Sequence, residues 1–245
     1  MGRNNLIFGM HPLLEALEAG REIDKILLKR GLRSDEVSRI IALARERIIP
    51  LQMVPEERLS RLTRGQHQGV IAFVSEIEYT SLEQLIPMIY EQGRSPFVVL
   101  LDGLTDVRNF GAIARTAECA GVDALIIPER GSVSVTADAI KTSAGALHRL
   151  PVCRVSSIAS AVALLQQSGL QVVAASEKAS DLYTETDLRL PLGLVLGAED
   201  HGVSTDVLRM VDHIVRIPQV GAIGSLNVSV AAGILIYEVV RQAKK

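Results

Sequence analysis

The sequence predicts an α/β protein built from two units, and three observations carry that expectation. From Pro96 onward, short Val/Ile/Leu-rich runs recur between helical segments, the pattern of a parallel sheet covered on both faces. Ahead of it, a stretch of about 75 residues alternates strand and helix signals more compactly. At 245 residues, 48% hydrophobic and 22% charged, the chain has a globular composition and enough length for one domain or two.

In the first unit, His11-Pro12 opens LLEALEAG, with proline suited to the first helical position and Gly20 to the stop. Lys25–Lys29 predicts a short buried strand. Ser34 caps a helix over 35–48, in which Val37, Ile40, Ile41 and Ala44 keep helical spacing. Residues 50–54 predict a second strand, 56–62 a short helix and 69–74 a third strand. Between Ser75 and Pro96 the charge rises and the strand pattern stops, and a helix there would be interrupted by Pro87. The expected organisation is a domain over 1–75, a linker over 76–95 and a domain over 96–245.

The second domain carries apolar strands at 97–102, 124–128, 151–155, 170–176, 192–197 and 213–218, separated by helical segments such as 111–121 and 157–169. Ligands of such sheets bind beyond the carboxyl ends of the strands, so the residues after each strand are the ones to read.

Composition excludes several classes. Two cysteines, Cys119 and Cys153, make neither a disulfide framework nor a four-cysteine zinc site, and a reducing cytoplasm is the expected location. No run approaches the ~18 apolar residues of a transmembrane helix. The opening MGRNNLIFGMHP has too short an apolar run for a secretory signal. Aromatics at 3% with no tryptophan argue against stacking of many bases. The net charge of −2 is unevenly spread: residues 1–75 hold 12 Lys+Arg against 9 Asp+Glu, and ten of those cations are arginines. That bias suits phosphate recognition, and it equally suits a solvated surface.

Three strand ends are unusual. After 97–102 comes DGLTDVRNFGAIAR, where Asn109 and Gly111 are expected just ahead of a helix bearing Arg115. Free amides of a helix N-terminus bind anions, whereas a cation in the first turns opposes the dipole and needs another reason to be there. A salt bridge from Arg115 to Asp102 or Asp106 is the structural alternative. After 192–197 comes AEDHGVS, with Gly197 allowing close approach of a ligand and Glu199 able to accept its hydrogen bonds. A tight turn with a glutamate serving the next helix is the alternative. After 213–218, Gly221 and Gly224 lead to Ser225-Leu226-Asn227 and a helix apolar around nearly its whole circumference from Val228 to Tyr237. Ser225 and Asn227 can act as caps, and the helix must be buried on all sides or against a partner chain.

Taken together, N-x-G-A-I-x-R at Asn109–Arg115, G-A-E-x-x-G at Gly197–Gly202 and S-L-N-V-S-V-A at Ser225–Ala231 resemble the three signature motifs of the SpoU/TrmH family of RNA 2'-O-ribose methyltransferases. The likeness covers roughly residues 96–245, and residues 1–75 are similar to the ribosomal-protein-L30e-like domain that precedes the catalytic domain in one branch. Length and layout resemble the family's bacterial 23S rRNA (guanosine-2'-O)-methyltransferases. The resemblance implies an α/β fold with a C-terminal trefoil-knotted (SPOUT) parallel-sheet domain, a rare exception to the un-knotted rule. It implies S-adenosylmethionine held by backbone groups at Gly197, Ile217 and Leu226, and a homodimer through the C-terminal domain whose sites draw on both chains. It implies 23S rRNA or a large-subunit assembly intermediate as partner, with no membrane.

The implied reaction is an in-line displacement in which a ribose 2'-hydroxyl attacks the methyl of a sulfonium, so no metal is called for. The five histidines show no H-x-x-x-H ligand spacing. Arg115 matches the family's essential arginine. A guanidinium does not deprotonate in proteins, so its expected work is to hold a phosphate and stabilise developing alkoxide charge. Asn109 and Glu199 are expected to orient Arg115 and the ribose, with Ser225 and Asn227 closing the site. Arg30, Arg33 and Arg64 are candidate RNA contacts, His11 and the turn at His67-Gln68-Gly69 lesser ones. A tRNA substrate is the competitor within the family. A non-catalytic ribosome-associated RNA-binding protein would leave the strand-end motifs unexplained, and an oxidoreductase would need a G-x-G-x-x-G that is absent.

Overall fold

The strands of the first unit are short, and their alternation decides which core each side chain joins. The computed structural model describes residues 6–198 and 200–243, and the chain divides into two units between Glu78 and Tyr79. The first unit runs β1 (Leu6–Phe8), α1 (Met10–Glu18), β2 (Ile23–Lys29), α2 (Asp35–Glu46), β3 (Leu51–Val54), α3 (Glu56–Leu62) and β4 (Val70–Val74). Its sheet has the order β1-β4-β2-β3, with β2 parallel to β3 and β4 antiparallel to β1 and β2. Ile26, Leu28, Val70 and Ala72 face α1 and α2, while Leu27 and Ile71 face Leu59 of α3. This is the two-residue period of a sheet with helices on both faces.

α1 starts at Met10, two residues ahead of the expected start, so Pro12 is its third residue. Proline is tolerated there because the first four amides of a helix lack intrahelical partners. The Ser34 hydroxyl accepts a hydrogen bond from the Val37 amide at 3.2 Å and starts α2 as expected.

The second unit corrects the expected linker. Residues 79–95 belong to it: Tyr79 forms a parallel bridge with Val152, the Thr80 amide donates to the Val152 carbonyl at 3.0 Å, and α4 (Leu82–Glu91) follows. Leu82, Leu85, Ile86 and Ile89 recur at helical spacing and pack into the main core with Val98, Leu100, Val162 and Leu165. Burying each of these is worth about 1.5–3 kcal/mol. Together they outweigh the roughly 3 kcal/mol that Pro87 costs as the sixth residue of the helix.

The unit continues with β5 (Phe97–Asp102), α5 (Val107–Cys119), β6 (Ala124–Pro128), α6 (Ala137–Thr142), a 3-10 turn (Ala146–His148), β7 (Val152–Val155), α7 (Ile158–Gln167), β8 (Gln171–Ala175), β9 (Asp181–Leu182), β10 (Leu192–Gly197), α8 (Thr205–Leu208), β11 (His213–Arg216) and α9 (Val228–Ala243). The sheet order is β7-β6-β5-β10-β8-β11-β9, and every pair is parallel. β5 lies between β6 and β10, where the winding changes direction, and Asp102 and Gly197 stand side by side at the two carboxyl ends. That is the crevice position of an open parallel sheet.

Two further expectations change. α5 begins at Val107, where the Asp106 carboxylate accepts from the amides of Arg108 and Asn109, both at 2.8 Å. Asn109 and Gly111 therefore lie inside the helix and Arg115 lies in its middle, away from the positive end of the dipole. α9 buries Val228, Ala232, Leu235, Ile236 and Val239, while Val230 and Tyr237 each remain 51% exposed.

Cys153 sits in the main core, and burial pushes its thiol up to about 12, with the Glu83 carboxylate adding to the effect. Cys119 is exposed. Thiol titration at neutral pH is expected to modify Cys119 in the native protein and Cys153 only after unfolding, because the thiolate is the reactive form. Rapid native labelling of Cys153 would contradict the closed core.

Candidate active site

Two glycines shape the turn after β10. A β-carbon on Gly197 would collide with the backbone of Gly202 and Val203, so the turn folds directly over that position. Ala198 and Gly202 close it, the Ala198 amide donating to the Gly202 carbonyl at 3.2 Å and the Gly202 amide to the Ala198 carbonyl at 2.9 Å. Gly202 has φ +68°, where glycine carries no steric cost. The Ser204 amide then donates to the Asp102 carboxylate at 2.8 Å, locking the turn to the end of β5. Glu199 lies outside the described residues.

The loops after β8, β10 and β11 converge with the start of α9 around a cleft of about 190 Å³. Gly197, Ile217, Leu226 and Ser225 all lie on its wall. Leu196 and Val215 add apolar surface, and Glu177 and Gln219 add polar groups that the sequence motifs did not single out. The strand 170–176 ends without a glycine, and the charged pair Glu177-Lys178 after it belongs to none of the three motifs. The signal available for Glu177 was only its place after a parallel strand.

Asn109 and Asn227 meet although 118 positions separate them: the Asn227 side-chain Nδ2 donates to the Asn109 side-chain Oδ1 at 3.1 Å. Asn227 also caps α9, its side-chain Oδ1 accepting from the Ser229 amide at 3.0 Å and the Ser229 hydroxyl at 2.6 Å. Arg115 is exposed, about 9 Å further along α5 than Asn109 and about a third of a turn round the helix. Among the described residues it has no ion-pair or hydrogen-bond partner. The alternative of a bridge to Asp102 or Asp106 is not formed, since Asp106 caps α5 and Asp102 holds Ser204. Gly111 lets α5 and α6 approach closely, since a β-carbon there would come within 2.6 Å of the Thr142 Cβ on α6.

In the first unit Arg30, Arg33, Arg64 and His11 are exposed. His67-Gln68-Gly69 builds a turn. The His67 Nδ1 accepts from the Gly69 amide at 3.0 Å, and the Gln68 side-chain oxygen accepts from the Met10 amide at 2.9 Å.

A glycine-cradled cleft suits a compact ligand with apolar and polar parts, bound largely through backbone. Set at the carboxyl ends of a wound parallel sheet, in a chain that also carries a separate arginine-rich unit, it has the form of an α/β enzyme site and points to a polyanionic substrate. Residues 96–237 match the SpoU rRNA Methylase family, and residues 6–80 match the domain described as RNA 2'-O ribose methyltransferase substrate binding. The chain belongs to the SpoU/TrmH family of RNA methyltransferases. It is 38% identical over 237 residues, 97% of this chain and 95% of that one, to a Staphylococcus saprophyticus protein named for the TrmH family of tRNA/rRNA methyltransferases. Among solved structures, the AdoMet-bound rRNA methyltransferase of Sinorhizobium meliloti is 26% identical with TM-score 0.61, covering 97% of this chain and 87% of that one. The A. aeolicus TrmH/SpoU tRNA modifying enzyme is 28% identical with TM-score 0.56, covering 66% of this chain and 83% of that one.

Proposed function

We propose that the chain methylates the ribose 2'-hydroxyl of a guanosine in 23S rRNA, or in a large-subunit assembly intermediate, with S-adenosylmethionine as donor. The observation that carries this reading is the cleft over Gly197, where the second and third motif segments meet at the switch point of the sheet. A ribosomal rather than transfer RNA substrate is supported by the first unit. The S. meliloti rRNA enzyme aligns over 97% of the chain, the A. aeolicus tRNA enzyme over 66%.

When bound, the cofactor supplies a methyl group that already carries its leaving group. Gly197, Ile217 and Leu226, all on the cleft wall, would hold it, and the turn that closes over Gly197 shapes that wall. The Arg115 guanidinium holds an RNA phosphate and stabilises negative charge developing on the 2'-oxygen. The proton passes to a phosphate oxygen or water. Asn109 and Asn227 brace one another across α5 and α9, Ser225 closes the cleft wall, and Glu199 orients the ribose.

Arg115 is not on the wall of the cleft, and α9 leaves Val230 and Tyr237 uncovered. Both features support a homodimer in which one copy's Arg115 serves the other copy's cleft. α9 packs on α5 and β10 in mid-sheet although it follows β11 near the edge, a path that supports a trefoil knot. No helix among the described residues is long and apolar enough to cross a membrane. The proposed ribosomal RNA substrate places the enzyme in the cytoplasm.

The decisive experiment is transfer of labelled methyl from S-adenosylmethionine to unmodified 23S rRNA, with bulk tRNA in parallel. Label on the 2'-oxygen of one rRNA guanosine is the expected result. Label on tRNA alone would keep the chemistry and overturn the substrate. Absence of cofactor binding would overturn the reading. Charge reversal at Arg30, Arg33 and Arg64 together is expected to weaken RNA binding and flatten its salt dependence, since each phosphate contact adds close to one unit of slope. An unchanged slope would remove these arginines from the interface.

A further inference from the structure

The arginine-rich first unit exposes one aromatic ring at an end of its sheet. β1, β2 and β3 run one way and β4 the other, so Phe8, Lys29, Val54 and Val70 all lie at one end of the sheet. By strand alternation Phe8 shares a face with Leu6, which packs against the small core of Leu27, Val54, Leu59 and Ile71. The ring continues that core past its edge and is 39% exposed, whereas Phe97 and Phe110 are buried and Phe73 is half-buried.

The ring is held from one side. A β-carbon on Gly65 would lie 2.5–3.2 Å from three of its carbons, so the loop backbone presses on it. That loop is itself fixed, with the Gly65 amide donating to the Thr63 hydroxyl at 3.1 Å and the Val70 amide to the His67 carbonyl at 2.8 Å. Arg30, Arg33, Arg58, Arg61 and Arg64 are all exposed in the same unit, and among the described residues none pairs with a carboxylate. Arg64 is the chain neighbour of Gly65, and a unit that carries both an exposed apolar ring and uncompensated guanidiniums is matched to a ligand with flat faces and negative charge.

We propose that Phe8 is a stacking platform for one unpaired base of the RNA substrate, with exposed arginines of the same unit, Arg64 first among them, holding the flanking phosphates. The proposal rests on the RNA methyltransferase reading and adds to it a preference for a single-stranded loop or bulge. Unpaired bases offer a free face to an aromatic ring, and duplex bases do not. One platform fits a chain with 3% aromatics: it selects a nucleotide at one place and does not track a strand.

The chain has no tryptophan, so Phe8→Trp places a lone indole at the platform of the full-length protein. A short mixed-sequence single-stranded RNA is expected to quench its fluorescence, and the blunt duplex of the same sequence, at equal occupancy, is expected not to. Phe8→Leu is expected to weaken single-stranded RNA binding by about 5- to 150-fold, the range for one base stacked on an aromatic ring. The factor is expected to be the same at every salt concentration, because stacking releases no counterions. Phe8→Tyr keeps the ring and is expected to keep the affinity, which separates stacking from any loss of folding seen in melting curves. Full affinity in Phe8→Leu, or an unquenched indole with RNA bound, would overturn the platform and leave the methyltransferase reading intact. Failure of the unaltered protein to bind any RNA would overturn both. Quenching by an acidic protein and not by RNA would give the ring to a protein partner and overturn the proposal.

Discussion

Arg115→Ala is expected to lower methyl transfer by about 10²–10³-fold while leaving S-adenosylmethionine affinity nearly unchanged, the usual loss for one charge-stabilising donor. The structure separates this from a folding effect. The guanidinium is exposed, and among the described residues it has no partner, so its removal strands no buried carboxylate. Alanine also has the highest helix propensity, and its site is the middle of α5. The melting temperature is therefore expected to stay close to that of the unaltered enzyme. Calorimetric cofactor binding and single-turnover methyl transfer read the two quantities separately. Weaker cofactor binding with unchanged turnover would remove Arg115 from the chemistry.

Gly197→Ala is expected to act the other way, abolishing cofactor binding and destabilising the fold by about 1–3 kcal/mol, the range for forcing an extra methyl into a packed site. The added carbon would occupy space held by the backbone of Gly202 and Val203, and backbone yields far less readily than a side-chain tip. Gly202→Ala is the control. Nothing lies within 4 Å of a β-carbon there, and its cost is the roughly 1–2 kcal/mol of a left-handed backbone at φ +68°. Equal cofactor affinity in Gly197→Ala and the unaltered enzyme would show that the cradle is not the binding surface. Mixing the two inactive variants, Arg115→Ala and Gly197→Ala, is expected to restore activity, because a heterodimer contains one site with an intact arginine and an intact cradle. No restoration would place arginine and cleft within one chain.

Much of this architecture could be read along the chain. β5, β6, β7, β8 and β10 of the second unit were legible because a parallel strand covered on both faces must be apolar at almost every position, and β11, near the sheet edge with Val215 alone buried, was legible from its two central apolar residues. α3 was legible from EERLSRL, with its acidic start and basic end. β1 and β9 were not, since three and two residues are too few to show a period. The start of α5 was misread because Asn and Gly are poor helix formers. The Asp106 cap and the close approach of α6 at Gly111 override that preference. The stretch around Pro87 was misread as linker for the same kind of reason: a local breaker lost to a buried apolar face.

The candidate site divides along the same line. Its residue types and their motif spacing lie within short segments, which is why Asn109, Gly197, Ser225 and Asn227 could be named as candidates from the order of residues. The joining of Asp102 to Ser204 and of Asn109 to Asn227 spans more than a hundred positions and appears only once β5 and β10 are neighbours. So does the separation of Arg115 from the cleft. Backbone hydrogen bonds are alike for any pair of strands, so no short segment encodes which strand lies beside which. That order is set by the packing of side chains brought together across the whole domain.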